Sequence, residues 1–239
     1  MARNGEQNMP TSRPTLSRRL LVASAAFGPL IAATTPAMAD AKRQALVNDA
    51  LAAAQRVLES NEFPDAPNQL KRARAVLILP SFAQAAFLIG GAGGRGVLMA
   101  RYGAGDWGYP AFMTMGSGSL GLQIGGRVQE ILLIVLTDKG LNALLDSRFK
   151  FGAEGGVTVI NAGVGIAGAT TGAVGADIVA YSKASGLFIG GALEGSYLEP
   201  DNDWNALYYG QGARGRDIVM DRRYTNPGAN GLRQYLARY

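Results

Sequence analysis

Between residues 75 and 198 glycine cuts the chain into short apolar or alternating runs, at 75–79, 85–89, 96–102, 111–115, 120–124, 128–136, 157–161 and 177–198. Runs of this length, punctuated by turn residues, suit strands. The expected fold class is α+β and β-rich: a single domain with an antiparallel sheet curled into a barrel-like core. The last run reads as a hairpin. Ile178, Ala180 and Ser182 alternate with Val179, Tyr181 and Lys183, a turn signal follows at 183–186, and 187–198 returns. Pro80 is expected to stop the first strand, since proline cannot donate to a ladder.

Helical signals flank and interrupt this pattern. Val47, Ala50, Leu51, Ala54, Val57 and Leu58 recur at intervals that give one stripe, so 40–60 is an amphipathic helix packed on the domain. Thr137 or Asp138 caps a helix near 138–146 with Leu141, Leu144 and Leu145 inward. Residues 202–209 form a short helix or turn that lays Trp204, Leu207 and Tyr208 on the core. A last segment, 232–239, puts Leu232, Tyr235, Leu236 and Tyr239 on one helical face. No Ser/Gly/Pro linker divides residues 40–239, which are read as one domain.

The first 39 residues are of another kind. Arg18 and Arg19 precede a modest apolar run, and Ala37 and Ala39 supply small residues at a cleavage position. This is the pattern of a signal peptide, here of twin-arginine type, cleaved after Ala39. A periplasmic or secreted protein is expected, and with no cysteine in the chain it is neither disulfide-bonded nor lipidated. The formal net charge is +5. Much of it sits in the leader and in the extension 211–239, where Arg214, Arg216, Arg222, Arg223, Arg233 and Arg238 face only Asp217 and Asp221.

The absence of histidine and cysteine removes the Ser-His-Asp and Cys-His nucleophile arrangements and the commonest zinc sites. Asp106, Glu130, Glu154, Asp177 and Glu194 are scattered single acids, so no enzyme, metal or cofactor is expected. The glycine patterns starting at Gly91, Gly116 and Gly163 match the spacing of a dinucleotide fingerprint. Each leads into another strand-like or glycine-rich run and not into a helix N-terminus, so none is read as a nucleotide site. Residues 40–210 lack the basic, aromatic-interleaved stripe of a nucleic-acid binder.

The stretch Tyr181-Ser182-Lys183-Ala184-Ser185-Gly186-Leu187-Phe188-Ile189-Gly190-Gly191 resembles the signature of the SYLF domain family. Three further blocks resemble the family in order: 73–101; Asp106-Trp107-Gly108-Tyr109-Pro110 with the glycine-rich run 116–126; and 130–136 with the helix after it. The resemblance implies phospholipid recognition, and in some eukaryotic members actin binding. It is qualified by Gly108, where eukaryotic members carry serine, and by an N-terminal helix holding only Lys42, Arg43 and Arg56.

The expected function is peripheral recognition of anionic phospholipid head groups at the bacterial envelope, with actin not expected as a partner. The residues expected to hold the phosphate are Lys71, Arg72, Arg74, Arg95 and Arg101, with the amides of Gly93, Gly94 and Gly96 as an anion nest. The alternative is a structural or protein-interaction module that docks an envelope partner through a sheet edge or the loop bearing Trp107.

Overall fold

Strand β1 (Ala75–Ala86) occupies the middle of the sheet, and its sequence explains why. Ala75, Val76, Leu77, Ile78 and Leu79 are all fully buried, so both faces of the strand are covered and the run is continuously apolar instead of alternating. The computed structural model describes residues 36–86, 90–119, 125–146, 148–152, 159–162, 175–184, 193 and 195–239. Residues 34–239 form one compact unit. The leader, apart from its last four residues, and the strand expected at 120–124 lie outside the described residues.

The other strands are β2 (Gly90–Gly103), β3 (Asp106–Trp107), β4 (Ala111–Ser119), β5 (Gly125–Val135), β6 (Phe149–Lys150), β7 (Val159–Ala162), β8 (Ile178–Ala184) and β9 (Ser196–Pro200). Their order is β6-β9-β4-β2-β1-β5-β8-β7, with β3 added to β2. The sheet is a curled half-barrel. Among the described residues β6 and β7 end it without pairing to each other.

Three expectations are corrected here. β1 does not stop at Pro80. It runs on to Ala86, with its register jumping between Ile78 and Ser81 on β2 and between Leu79 and Phe82 on β5. Pro80 therefore sits in a β-bulge, where a missing N–H breaks no ladder bond. The opposing strand carries glycine where the bulge crowds it: a Cβ at Gly94 would lie 2.4 Å from the Ser81 carbonyl oxygen, and one at Gly96 2.4 Å from that of Ile78.

The second correction concerns the far end of the hairpin. Residues 185–192, most of its second arm, lie outside the described residues, but the end of that arm falls in β9, which pairs with β4 and β6, whereas β8 pairs with β5 and β7 beyond four intervening strands. The apolar character of both runs is real, but period-two patterning says nothing about which strand is the partner. Third, the sheet is not wholly antiparallel, because β7 runs parallel to β8.

Helices cover both faces. On one, α1 (Pro36–Leu58) buries Val47, Ala50, Ala54, Val57 and Leu58 of the expected stripe, with Leu51 half-buried beside them, against Val76, Ile78, Val97, Met99 and Phe112. The short α2 (Ala66–Lys71) also lies there, as do α4 (Asn202–Tyr209) and α6 (Asn230–Leu236). On the other face, α3 (Asp138–Leu145) and α5 (Gly215–Val219) close over Leu77, Leu98, Met113 and Leu133. Thr137 is the α3 cap, its hydroxyl accepting from the Gly140 amide at 3.1 Å, and Asp201 caps α4 through the Trp204 amide at 3.1 Å. Neither α2 nor α5 has a sequence signal strong enough to be read, since each spans two turns or less.

Candidate functional site

The basic residues expected to bind phosphate lie on or beside β1 and β2, and the fold treats them differently. Arg74 ends the turn before β1 and makes a two-pronged bond to Asp138 in the first turn of α3, at 2.8 and 2.9 Å. The carboxylate holds the guanidinium in its charged form, raising its pKa, first through the hydrogen bond and then through its charge. Arg95, on the α1 side of β2, donates to Asp201 at 2.8 Å and lies over the Trp204 ring at 4.4 Å. Arg101 closes β2. It donates to the carbonyls of Leu70 at 3.1 Å, of Lys71, of Gly103 at 3.1 Å and of Tyr239 at 3.4 Å, with its guanidinium 5.8 Å from the Trp107 ring.

Lys71 and Arg72 differ from these three. Lys71 is the last residue of α2 and Arg72 its C-cap, a position that favours cations against the helix dipole. Both side chains are exposed and neither has a partner among the described residues. Because Arg101 grips the backbones of Lys71 and Tyr239 together, the basic end of α2 and the end of the basic extension meet at one edge. There Arg238 is also exposed, its guanidinium 5.3 Å from the Tyr235 ring.

Gly93, Gly94 and Gly96 do not join that edge. They lie inside β2, all in register with β4 and Gly93 and Gly94 also with β1, Gly96 facing the β1 bulge, and the first glycine pattern is strand throughout. At Gly94 and Gly96 the missing side chain makes room for the β1 bulge.

Trp107 is 1% exposed and belongs to the core, so its own ring is not offered for docking. Of the five scattered acids, Glu154 and Glu194 lie outside the described residues or side chains. The others are each held by a donor: Asp106 by Arg222, Glu130 by Arg56, and Asp177 by Lys139 and the Thr137 hydroxyl. Among the described residues no three histidine, cysteine or acidic side chains are gathered as for a metal, and no helix is long and apolar enough to cross a membrane.

A second basic feature went unread in the sequence. Arg222 and Arg233 line a cavity of about 120 Å³ beside β3. The only signal for it is the charge imbalance after residue 210.

Residues 116–239 match the family described as Ysc84, Las17-binding protein actin regulator. The chain belongs to the Ysc84 family, whose domain is SYLF. It is 31% identical over 176 residues to Protein YSC84 of Saccharomyces cerevisiae, covering 71% of this chain and 37% of that protein. LAS seventeen-binding protein 3 of the same species is 30% identical over 176 residues, covering 71% of this chain and 38% of that protein. The SH3 domain-containing YSC84-like protein 1 of Homo sapiens is 30% identical over 152 residues, covering 63% of this chain and 44% of that protein. The chain thus spans less than half the length of these relatives.

Proposed function

We propose that this Ysc84-family chain binds anionic phospholipid head groups peripherally, through the edge where α2 meets the C-terminal extension. The observation that supports this most is the contrast between cations: Arg74, Arg95 and Arg101 are engaged by protein acceptors, while Lys71 and Arg72 project beside Arg101 with no partner among the described residues. Cations held near an anionic surface contribute about 1 kcal/mol each, and salt screens that contribution. The leader-like residues 1–39 support export to the envelope as part of the same reading.

Co-sedimentation with vesicles tests it. The chain is expected to pellet with vesicles containing phosphatidylglycerol or cardiolipin at low salt, to be released at high salt, and to ignore neutral vesicles. Filamentous actin in place of vesicles is expected to leave it in the supernatant. Failure to pellet under every condition contradicts the lipid reading. It favours instead a protein-interaction module, a reading supported by the name of the relative LAS seventeen-binding protein 3.

A further inference from the structure

The cavity beside β3 shares no lining residue with the edge just described. It is walled by the turn that carries β3 and by the chain that follows α5, with Tyr102, Tyr109, Arg222, Tyr224, Thr225 and Arg233 at its surface. Each guanidinium is pinned over an aromatic ring: Arg222 at 4.2 Å from the centre of Tyr102, and Arg233 at 4.2 Å from that of Tyr109. Hydrogen bonds fix the remaining freedom. Both Nη atoms of Arg222 donate to Asp106, at 3.1 and 3.3 Å. Arg233 donates through Nε to the Trp107 carbonyl at 2.7 Å and through Nη1 to Asn230 at 3.4 Å.

Donors are left over. Arg222 Nε, Arg233 Nη2 and the hydroxyls of Tyr224 and Thr225 have no acceptor among the described residues. The backbone is strained at the same place. Arg222 is the one non-glycine residue with a left-handed φ, +54°, among the described residues, and such strain persists only where surrounding contacts enforce it. Burial raises the pKa of the Tyr102 phenol; Arg222 and Arg233 pull it down while Asp106 and Asp221 push it up, so charges of both signs act at this wall.

We propose that this cavity is a binding site for a phosphate group. Asp106 neutralises one guanidinium, so the lining retains a single positive charge beside a set of unfilled donors. A carboxylate presents two oxygens in a plane. A phosphate presents three or more in a tetrahedron, and the guanidinium of Arg233 on α6 can meet them together with that of Arg222 and the adjacent hydroxyls of Tyr224 and Thr225. A cavity of about 120 Å³ takes such a group with a short substituent. The site does not depend on the edge formed by Lys71 and Arg72.

The test is calorimetric titration of the full chain with inorganic phosphate and with glycerol 3-phosphate, in chloride of matched ionic strength. Saturable binding is expected for both. Arg222→Gly removes the guanidinium and places at φ +54° the residue that adopts it most readily, so the variant folds. Its affinity is expected to fall at least tenfold, while Lys150→Ala, at an exposed cation on β6, leaves phosphate affinity unchanged. Absence of saturable binding to the wild-type chain, or equal affinity in Arg222→Gly, overturns the site.

A vesicle arm identifies the source of the phosphate. If glycerol 3-phosphate releases the chain from phosphatidic acid vesicles, and Arg222→Gly weakens that association, the occupant is a lipid head group. If neither happens while soluble phosphate still binds, the occupant is a free phosphate compound. Vesicle binding that survives Arg222→Gly but not Lys71→Ala leaves the edge reading intact whatever becomes of the cavity.

Discussion

Arg74, Arg95 and Arg101 lie on a strand or just before one, and each is met by an acceptor from elsewhere in the chain. Lys71 and Arg72, immediately upstream, end a short helix with their side chains in solvent. Five cations within 31 residues of sequence thus divide into a group that holds the fold together and a group left for a partner. The difference arises from what faces each position. Arg74 and Arg95 meet acids in the first turn or cap of a helix, Asp138 on α3 and Asp201 at α4, and Arg101 meets backbone carbonyls. The side chains of Lys71 and Arg72 at the end of α2 meet no acceptor among the described residues. Local density of positive charge is therefore a poor guide to a binding surface until the acceptors have been placed.

The largest effect that sharpens this contrast comes from β2 itself. Gly96→Ala places a methyl 2.4 Å from the Ile78 carbonyl oxygen and 2.9 Å from Leu79 Cγ, and neither the bulge nor the buried leucine has room to yield. A loss of about 3 kcal/mol in urea unfolding is expected. An unchanged midpoint would mean that the bulge at Pro80 is not tightly held against β2.

Next comes Arg101→Ala, which frees the carbonyls of Leu70, Lys71 and Tyr239 and separates the two halves of the basic edge. It is expected to cost about 2 kcal/mol and to weaken vesicle binding as a consequence. Stability equal to wild type would place Arg101 among the binding cations and break the division drawn here. Arg74→Ala is smaller still. Its ion pair with Asp138 is about half exposed on the Arg74 side, at 52%, and more so on the other, at 65%. Pairs of that kind are worth up to about 1 kcal/mol, and vesicle binding should be retained.

Why the two groups could not be told apart in the sequence follows from the same contacts. The strands were legible because β1, β2, β4, β5 and β8 carry their burial in their own composition, and α1 because its apolar stripe recurs every three or four residues. Thr137 was legible as a cap because capping is local. The partner of Arg95 is 106 residues away and that of Arg74 is 64 away, so no window of sequence shows that these charges are occupied. The continuation of β1 past Pro80 needed β2 to supply Gly94 and Gly96, and the pairing of β8 and β9 with different neighbours is a property of the whole sheet. The cavity at Arg222 and Arg233 joins the β3 turn to a segment more than a hundred residues later, and only the charge of the extension hinted at it.

The smallest expected change in stability accompanies the most direct test. Lys71→Ala combined with Arg72→Ala should leave unfolding within about 0.5 kcal/mol of wild type, since both side chains are exposed. Co-sedimentation of this double variant with phosphatidylglycerol vesicles at low salt, beside Arg74→Ala and the wild-type chain, measures what the free cations do. The account predicts at least a tenfold loss of association for the double variant and near wild-type association for Arg74→Ala. Equal pelleting of all three chains, or loss confined to Arg74→Ala, would contradict it.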